Sequence, residues 1–523
     1  MRLSKTLVLL GILAVVATAG VVVALRQLTG TYTETWQNGK RIINVGPKDS
    51  LQAAINAANY GDTIVVQAGA TLTGNFTLPQ KKGTGEITIQ SSRIAELPEN
   101  ARVNPSQSAL FAKLQTPNSE PVIATIPGAH HYRFQGIEFL TESSTKMVYD
   151  VIRLGGGRKE QKTVDSVPHH LVIDRCYVHG FDTQDVQRGI SLNSAETTVS
   201  NSYISNIHGV GYDTQAIAGW NGPGPFHIIN NYLEGAGENV MFGGADSAAE
   251  ALIPSNIEIR GNYIFKPFSW KVGHPSYAGK HWTVKNLLEL KSAKNVVIDG
   301  NVMENNWTDG QDGTSIVITV RNQECSANWS TVQQVTFTNN IVATGQGGMN
   351  FLGKDNEAEP KYGKCPAGST STQGSDVLVS NNLFYDIRGP FLVFNGFNNV
   401  TFTHNTHIQT GNIMTLYGSP SQKFVYTDNL TIRGSKGYGL VGDGFGEGSV
   451  ALRKYAADGV FKNNVLIGAS AAEYPKENQY PASVDRVGFV NFEKGDYRLS
   501  PASPYKGIGV DWSKLNPSAK TPQ

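Results

Sequence analysis

The chain has 523 residues, with 44 Lys plus Arg against 43 Asp plus Glu and a formal net charge of +1. That balance excludes binding driven by bulk attraction to nucleic acid or to an acidic membrane, and any anionic ligand must be held by a local cluster. The 56 glycines, together with frequent asparagine, valine, isoleucine, threonine and aromatic residues, suit many short strands joined by tight turns.

Residues 1–25 read as an export element. Arg2 and Lys5 precede an apolar run from Leu7 to Leu25, and Ala17-Thr18-Ala19 offers small residues for a signal peptidase. The run is also close to the ~20 residues that span a bilayer, so a cleaved signal peptide and an uncleaved anchor both stand. Either way the chain is expected to be exported: periplasmic, extracellular or anchored to the membrane. Residues 26–45 read as a polar linker.

Ser50 stands where an N-cap should be, with Leu51, Ala54, Ile55 and Ala58 at helical spacing behind it and a strand over Thr63 to Gln67. A short amphipathic helix leading into strands suits a cap over the open end of a solenoid. The string Leu51 to Val66 resembles the opening of the pectate-lyase-like β-helix superfamily, and Gly495-Asp496-Tyr497-Arg498-Leu499 with Ser503-Pro504 resembles the closing segment of exported β-helix proteins.

Between them one turn recurs ten times, through Cys176, Ser202, Asn231, Asn262, Asn301, Asn340, Asn382, Asn405, Asn429 and Asn464, at steps of 23 to 42 residues. A minimal coil of about 23 residues with variable insertions is a solenoid carrying loops on its sides. Asparagine at such turns tolerates a left-handed backbone and can bond to the turns above and below, giving an interior ladder. Cys176, in a ladder position, reads as a buried thiol. The predicted fold is therefore all-β, a right-handed parallel β-helix over residues 46–515 with ten or more coils, an N-terminal capping helix, lateral loops and a loose tail at 516–523. With three cysteines, packing must supply most of the stability.

About ten residues before each asparagine pair, a strand alternates apolar and polar residues, so one set faces out. Taking Ile190 and Leu192 as inward puts Ser191 and Asn193 outside. In later coils the same register gives Trp220; Asn239 and Met241; Glu289 and Lys291; Thr319 and Arg321; Asn350 and Lys354. Coils stack about 4.8 Å apart, so Lys291 and Arg321 fall within reach of one ligand. Elimination from a uronic acid sugar requires loss of the proton beside its carboxylate, which becomes acidic once that charge is neutralised. Lys291 can abstract it while Arg321 neutralises the carboxylate or protonates the leaving oxygen; the alternative is a solvated face of ion pairs between coils. Insertions flank this face with Trp270, Lys271, His274, Trp282 and Trp307, rings suited to stacking on sugars or to packing the loops down. Cys325 and Cys365 lie in insertions that follow the same strand in adjacent coils and are expected to form a disulfide.

The segment Lys285-Asn286-Leu287-Leu288-Glu289-Leu290-Lys291-Ser292, followed one coil later by Thr319-Val320-Arg321-Asn322, is similar to the catalytic coils of the alginate lyase and chondroitinase B family. The resemblance spans residues 284 to 322 and implies a Lys-Ser pair carrying the base and an assisting Arg on the next coil. Two Ca²⁺-binding glutamates of that family fall on Asn286 and Val284 here, which leaves Glu238, Asn239 and Glu289 as a shifted oxygen site for Ca²⁺. A lyase acting on uronic-acid glycans is thus the leading expectation. A glycoside hydrolase using carboxylates among Asp182, Asp185, Asp213, Glu238 and Asp246 and a non-catalytic glycan-binding solenoid remain alternatives. The expected partner is a polysaccharide bound by a monomer, without nucleic acid, and with a membrane only through the N-terminal segment.

Overall fold

The computed structural model describes residues 25–26, 32–355, 365–434 and 439–520. The export element, apart from the backbone of Leu25–Arg26, lies outside them. Each coil sends one short strand to each of three sheets. Ser255–Arg260 joins the first, Tyr263–Phe265 the second and Asn286–Leu290 the third, after which Ala293–Asp299 returns to the first beside Ser255–Arg260. Repetition gives one sheet of 16 strands and two of 13. All neighbouring coils pair in parallel, and parallel crossovers of this kind wind right-handed. Inward residues alternate along each strand: Ile257 and Ile259 lie beside Val296 and Ile298, then Val335 and Phe337, all at most 1% exposed. One apolar cluster runs from Tyr32 to Tyr480.

The repeated turn divides its work between two adjacent residues. The first takes the left-handed backbone, at φ 57° in Asn339, 58° in Asn381 and 54° in His404, which asparagine and glycine accept at low cost. The second points inward and forms the ladder. Asn340 Nδ2 donates to the carbonyl of Ile298 (2.9 Å) and to Asn382 Oδ1 (3.1 Å), and Asn340 Oδ1 accepts from the backbone N–H of Asn301 (3.0 Å). The same pattern continues unbroken from Asn231 to Asn464. Ser202 and Cys176 extend it at one end, and Asn478, absent from the repeat read in sequence, closes it at the other. Left-handedness therefore belongs to the residue before the ladder asparagine, not to the ladder residue itself.

The capping helix stands as read from the sequence, but the segment before it and the tail differ. The capping helix is Leu51–Ala57, with the Ser50 side chain accepting from the Ala53 N–H and with Leu51, Ala54 and Ile55 buried. The segment 26–45, read as a linker, instead carries the strands Thr33–Gln37 and Lys40–Val45, the second pairing in parallel with Thr63–Val66. Its alternation is short, but an existing sheet edge supplies the partner. The tail is not loose up to Lys520. The C-terminal segment runs back over earlier coils: the Gly509 N–H donates to the Asp428 carbonyl, the Asp511 N–H to Asn381 Oδ1, and Lys520 pairs with Glu304. Ala519 is buried, and its carbonyl accepts from Arg102 Nη1 at 2.7 Å. Arg102 also bonds Asn230 and Gly261, joining an N-terminal insertion to the C-terminal strap.

Candidate functional site

The outer face of the third sheet is set by its register. Arg153, Ser191, Ala218, Met241, Glu289, Val317 and Asn350 stand in one row across successive coils. Leu288, Leu290, Ile316 and Ile318 are buried in the core between them, which fixes the row to the outside. Val317, rather than Thr319, stands beside Glu289. Thr319 lies two residues further along with Lys291, and the Arg321 N–H donates to the Lys291 carbonyl at 2.9 Å.

A cavity of about 560 Å³ opens over this face, lined by Glu289, Lys291, Thr319, Arg321 and Asn350 and walled by the Cys325–Cys365 disulfide. Lys291 Nζ lies 3.5 Å from Glu289 Oε1, and Arg321 Nη1 lies 3.1 Å from Asp355 Oδ1. Asp355 also accepts from the Asn322 N–H, which anchors the start of the loop carrying Cys325. Glu289 Oε2 and Asn350 Oδ1 are buried and have no hydrogen-bond partner among the described residues. Such groups favour a polar ligand, because an unmet acceptor costs about 1–3 kcal/mol.

A second cavity of about 800 Å³ is lined by Arg153, Arg158, Lys159, Lys162 and Trp220, with Glu160, Asp246 and Glu324. The loop from Asn322 to Cys325 borders both spaces, since Glu324 faces the second while Asn322, Gln323 and Cys325 face the first. Trp220 is half-buried beneath Arg188, whose guanidinium lies 4.8 Å from the ring centroid. The four cations of this second space were not picked out in the sequence. Arg153 stands in the outward row with Ser191, so extending the register by one coil finds it; the other three lie in a glycine-rich insertion without a repeating pattern.

Other sequence-predicted residues lie elsewhere. Trp270, Trp282 and Trp307 are at most 7% exposed and pack with Val284 and Ala236 in a cluster that fastens the loops; they do not offer faces to a sugar. Trp282 stacks on His208 at 3.7 Å. Lys271 Nζ lies 5.6 Å from the Phe268 ring centroid, and His274 stacks on that ring at 4.6 Å. Neither lines the 560 Å³ cavity, and neither does the exposed Lys354. Asn239 is buried, with Nδ2 donating to the carbonyls of Leu233 and Phe265, so it belongs to the interior of its coil.

That placement bears on Ca²⁺. Glu238 accepts from Gln215 Nε2 at 2.8 Å and lies 3.8 Å from Lys285 Nζ, while Glu289 faces Lys291. Val284 belongs to the apolar cluster. Burial, with the Glu289 and Asp213 charges adding to it, pushes the Glu238 carboxyl up, a repulsion that a bound cation would offset. Glu238 Oε1, Asn239 Oδ1 and Glu289 Oε2 are buried without a hydrogen-bond partner among the described residues, oxygen donors of the kind a hard cation such as Ca²⁺ takes. The carboxylates considered for hydrolysis are each engaged: Asp182 by Asn206, Asp185 by Lys280, Asp213 by Lys285, Glu238 by Gln215 and Asp246 by Ser326.

No protein-family model and no curated protein sequence matches the chain. Solved structures similar to it include an alginate lyase from Paenibacillus sp. str. FPU-7, at 15% identity and a TM-score of 0.40, covering 66% of this chain and 96% of that one. Pectate lyase Pel9A is similar at 12% identity and a TM-score of 0.38 over 91% of this chain and 93% of its own. A PL6 family polysaccharide lyase from Pseudopedobacter saltans is similar at 11% identity and a TM-score of 0.39, over 90% and 99%. These three structures are polysaccharide lyases, tailspike proteins are similar as well, and what this chain does rests on its own residues.

Proposed function

We propose that the protein is an exported polysaccharide lyase that cleaves uronic-acid-containing glycans by β-elimination in the 560 Å³ cavity. The observation that carries this reading is the convergence of Lys291 and Arg321 on one concave face, with a second, cation-rich space alongside for further acidic sugar units. The Lys291 amine takes the proton from the carbon beside the uronate carboxylate. The electron pair of that C–H bond forms the new C=C bond as the bond to the leaving glycosidic oxygen breaks, that oxygen takes up a proton from solvent water, and Lys291 returns its proton to solvent. Arg321 has five N–H donors, of which Asp355 takes one at Nη1, and its charge offsets the carboxylate as negative charge develops on the sugar. The disulfide at the cavity wall suits an oxidising compartment, as does the N-terminal apolar run.

Product chemistry tests the proposal. Purified protein incubated with alginate, pectate and glycosaminoglycans should release, from at least one of them, oligosaccharides with an unsaturated, ultraviolet-absorbing end, each lighter by one water than the hydrolysis product, whereas neutral glycans, which lack the carboxylate, should give none. New reducing ends without that absorbance would replace elimination by hydrolysis, and binding without any product would leave a glycan-binding solenoid.

A further inference from the structure

Four histidines gather on the outside of the first sheet, a different sheet from the one that carries the cavity. His130–Gln135 and His169–Asp174 are neighbouring parallel strands with His130 opposite His169, so His131 and His170 also stand side by side. The rings stack in two pairs, His130 on His169 at 4.9 Å and His131 on His170 at 4.2 Å between centroids. Within each strand the imidazoles meet nitrogen to nitrogen: His130 Nδ1 lies 2.8 Å from His131 Nδ1, and His169 Nδ1 lies 2.6 Å from His170 Nδ1. One ligand atom from each of His131, His169 and His170 lies within 4.8 Å of the others.

The backbone sharpens the choice of residue. His131 and His170 are left-handed, at φ 57° and 52°. The same register position in later coils is filled by Asn256, Asn295 and Asn399, also left-handed. Gln334, Asp376 and Lys423 occupy it as well, left-handed too, so the position takes polar residues of several kinds, and in two adjacent coils it carries an imidazole. On the third coil the position is Glu196, whose carboxylate pairs with His170 Nε2. A carboxylate on one ring nitrogen fixes the tautomer and turns the other nitrogen toward a ligand, the usual outer support of a metal-bound histidine. Tyr60 Oη bonds His130 from the other side.

We propose that His131, His169 and His170 bind one divalent transition-metal ion of the Zn²⁺, Ni²⁺ or Cu²⁺ class, with Glu196 orienting His170. Converging neutral imidazoles suit these ions, whereas Ca²⁺ and Mg²⁺ require oxygen. The ion bridges two coils near the N-terminal end, and access is open because His170 is exposed and His131 and His169 are half-buried.

The test uses the untagged, chelator-stripped chain and Zn²⁺ alone, titrated by calorimetry. Wild type should take up one equivalent. His131→Asn and His170→Asn, which install the residue found at this position in other coils, should each weaken binding by at least about 100-fold, since losing even an outer support costs 10–100-fold. Wild-type uptake no greater than that of the double Asn variant would overturn the proposal. A second readout needs no variant: wild type loaded with one equivalent of Cu²⁺ should show nitrogen couplings from imidazole in its electron paramagnetic resonance spectrum, and a spectrum of oxygen donors alone would overturn the assignment.

Discussion

Replacing Asn340 by alanine isolates the ladder from the rest of the coil. Asn340 Oδ1 accepts from the Asn301 N–H at 3.0 Å and from Asn301 Nδ2 at 2.9 Å, and all these groups are buried. Without the side chain, one backbone and one amide hydrogen of Asn301 face a cavity with no acceptor. Asn301 Nδ2 keeps its other bond, to the Ile259 carbonyl, and Asn382 Oδ1 keeps its bond from the Asn340 backbone. The Ile298 carbonyl also loses its bond from Asn340 Nδ2, so the cost is set by two unmet donors and one weakened acceptor; the donors alone, at about 1–3 kcal/mol each, give roughly 2–6 kcal/mol as the lower bound. The neighbouring Asn339 provides the control. Its side chain makes two partly exposed bonds, donating to Asp299 and accepting from Asn381 Nδ2, and its φ is 57°, so Asn339→Gly sets relief of the backbone against two bonds of about 0.5–1.5 kcal/mol each and should change stability by about 2 kcal/mol or less. Guanidinium denaturation, supplemented by unfolding rates, measures both variants. Equal effects, or an Asn340→Ala protein as stable as wild type, would refute the division of labour assigned to the two residues.

Acid should weaken the fold through two buried histidines. Burial pushes His208 down to about 4 and His407 down to about 3; unfolded histidine titrates near 6.5, so the unfolded chain binds protons first as pH falls. Stability is thus full above about pH 6.5 and is lost toward pH 4, by something of the order of 3 kcal/mol per histidine. Melting temperatures should fall less steeply with acid in a His208→Gln/His407→Gln protein, and an unchanged slope would remove this account. Replacing Cys325 and Cys365 by serine opens a link across 40 residues, worth about 4 kcal/mol in the chain-entropy picture. Because both cysteines line the cavity, glycan binding should weaken along with the melting temperature, and a variant that loses neither would show that the link is idle.

The fold was legible because its signals repeat. Ten turns in register defined the coil, and the Ser50 cap with Leu51, Ala54 and Ile55 defined the lid, since each rests on local geometry that the sequence spells out. Two errors came from segments whose structure depends on a distant partner. Thr33–Gln37 and Lys40–Val45 are strands because a sheet edge is waiting for them, and the tail is held by Arg102 and Glu304, hundreds of residues earlier. The site divides the same way. Strict alternation put Glu289, Lys291, Arg321 and Asn350 on one face. Asn239 was misread because, although it shares the parity of Met241 in the strand Glu238–Phe242, its side chain is buried and bonds the carbonyls of Leu233 and Phe265. The tryptophans were misread because a ring in an insertion has the same signature whether it meets a sugar or the apolar cluster around Val284.

The claim that Lys291 is the base in a β-elimination is tested most directly by turnover in Lys291→Ala on whichever acidic glycan the wild type cleaves, followed by ultraviolet absorbance of the unsaturated product and paired with binding to the same glycan. A positioned base contributes roughly a hundred- to ten-thousand-fold in rate and acts mainly in the transition state. The account predicts a loss of that size with the melting temperature unchanged and affinity altered by only a few-fold. A Lys291→Ala protein that forms unsaturated product at the wild-type rate would contradict it.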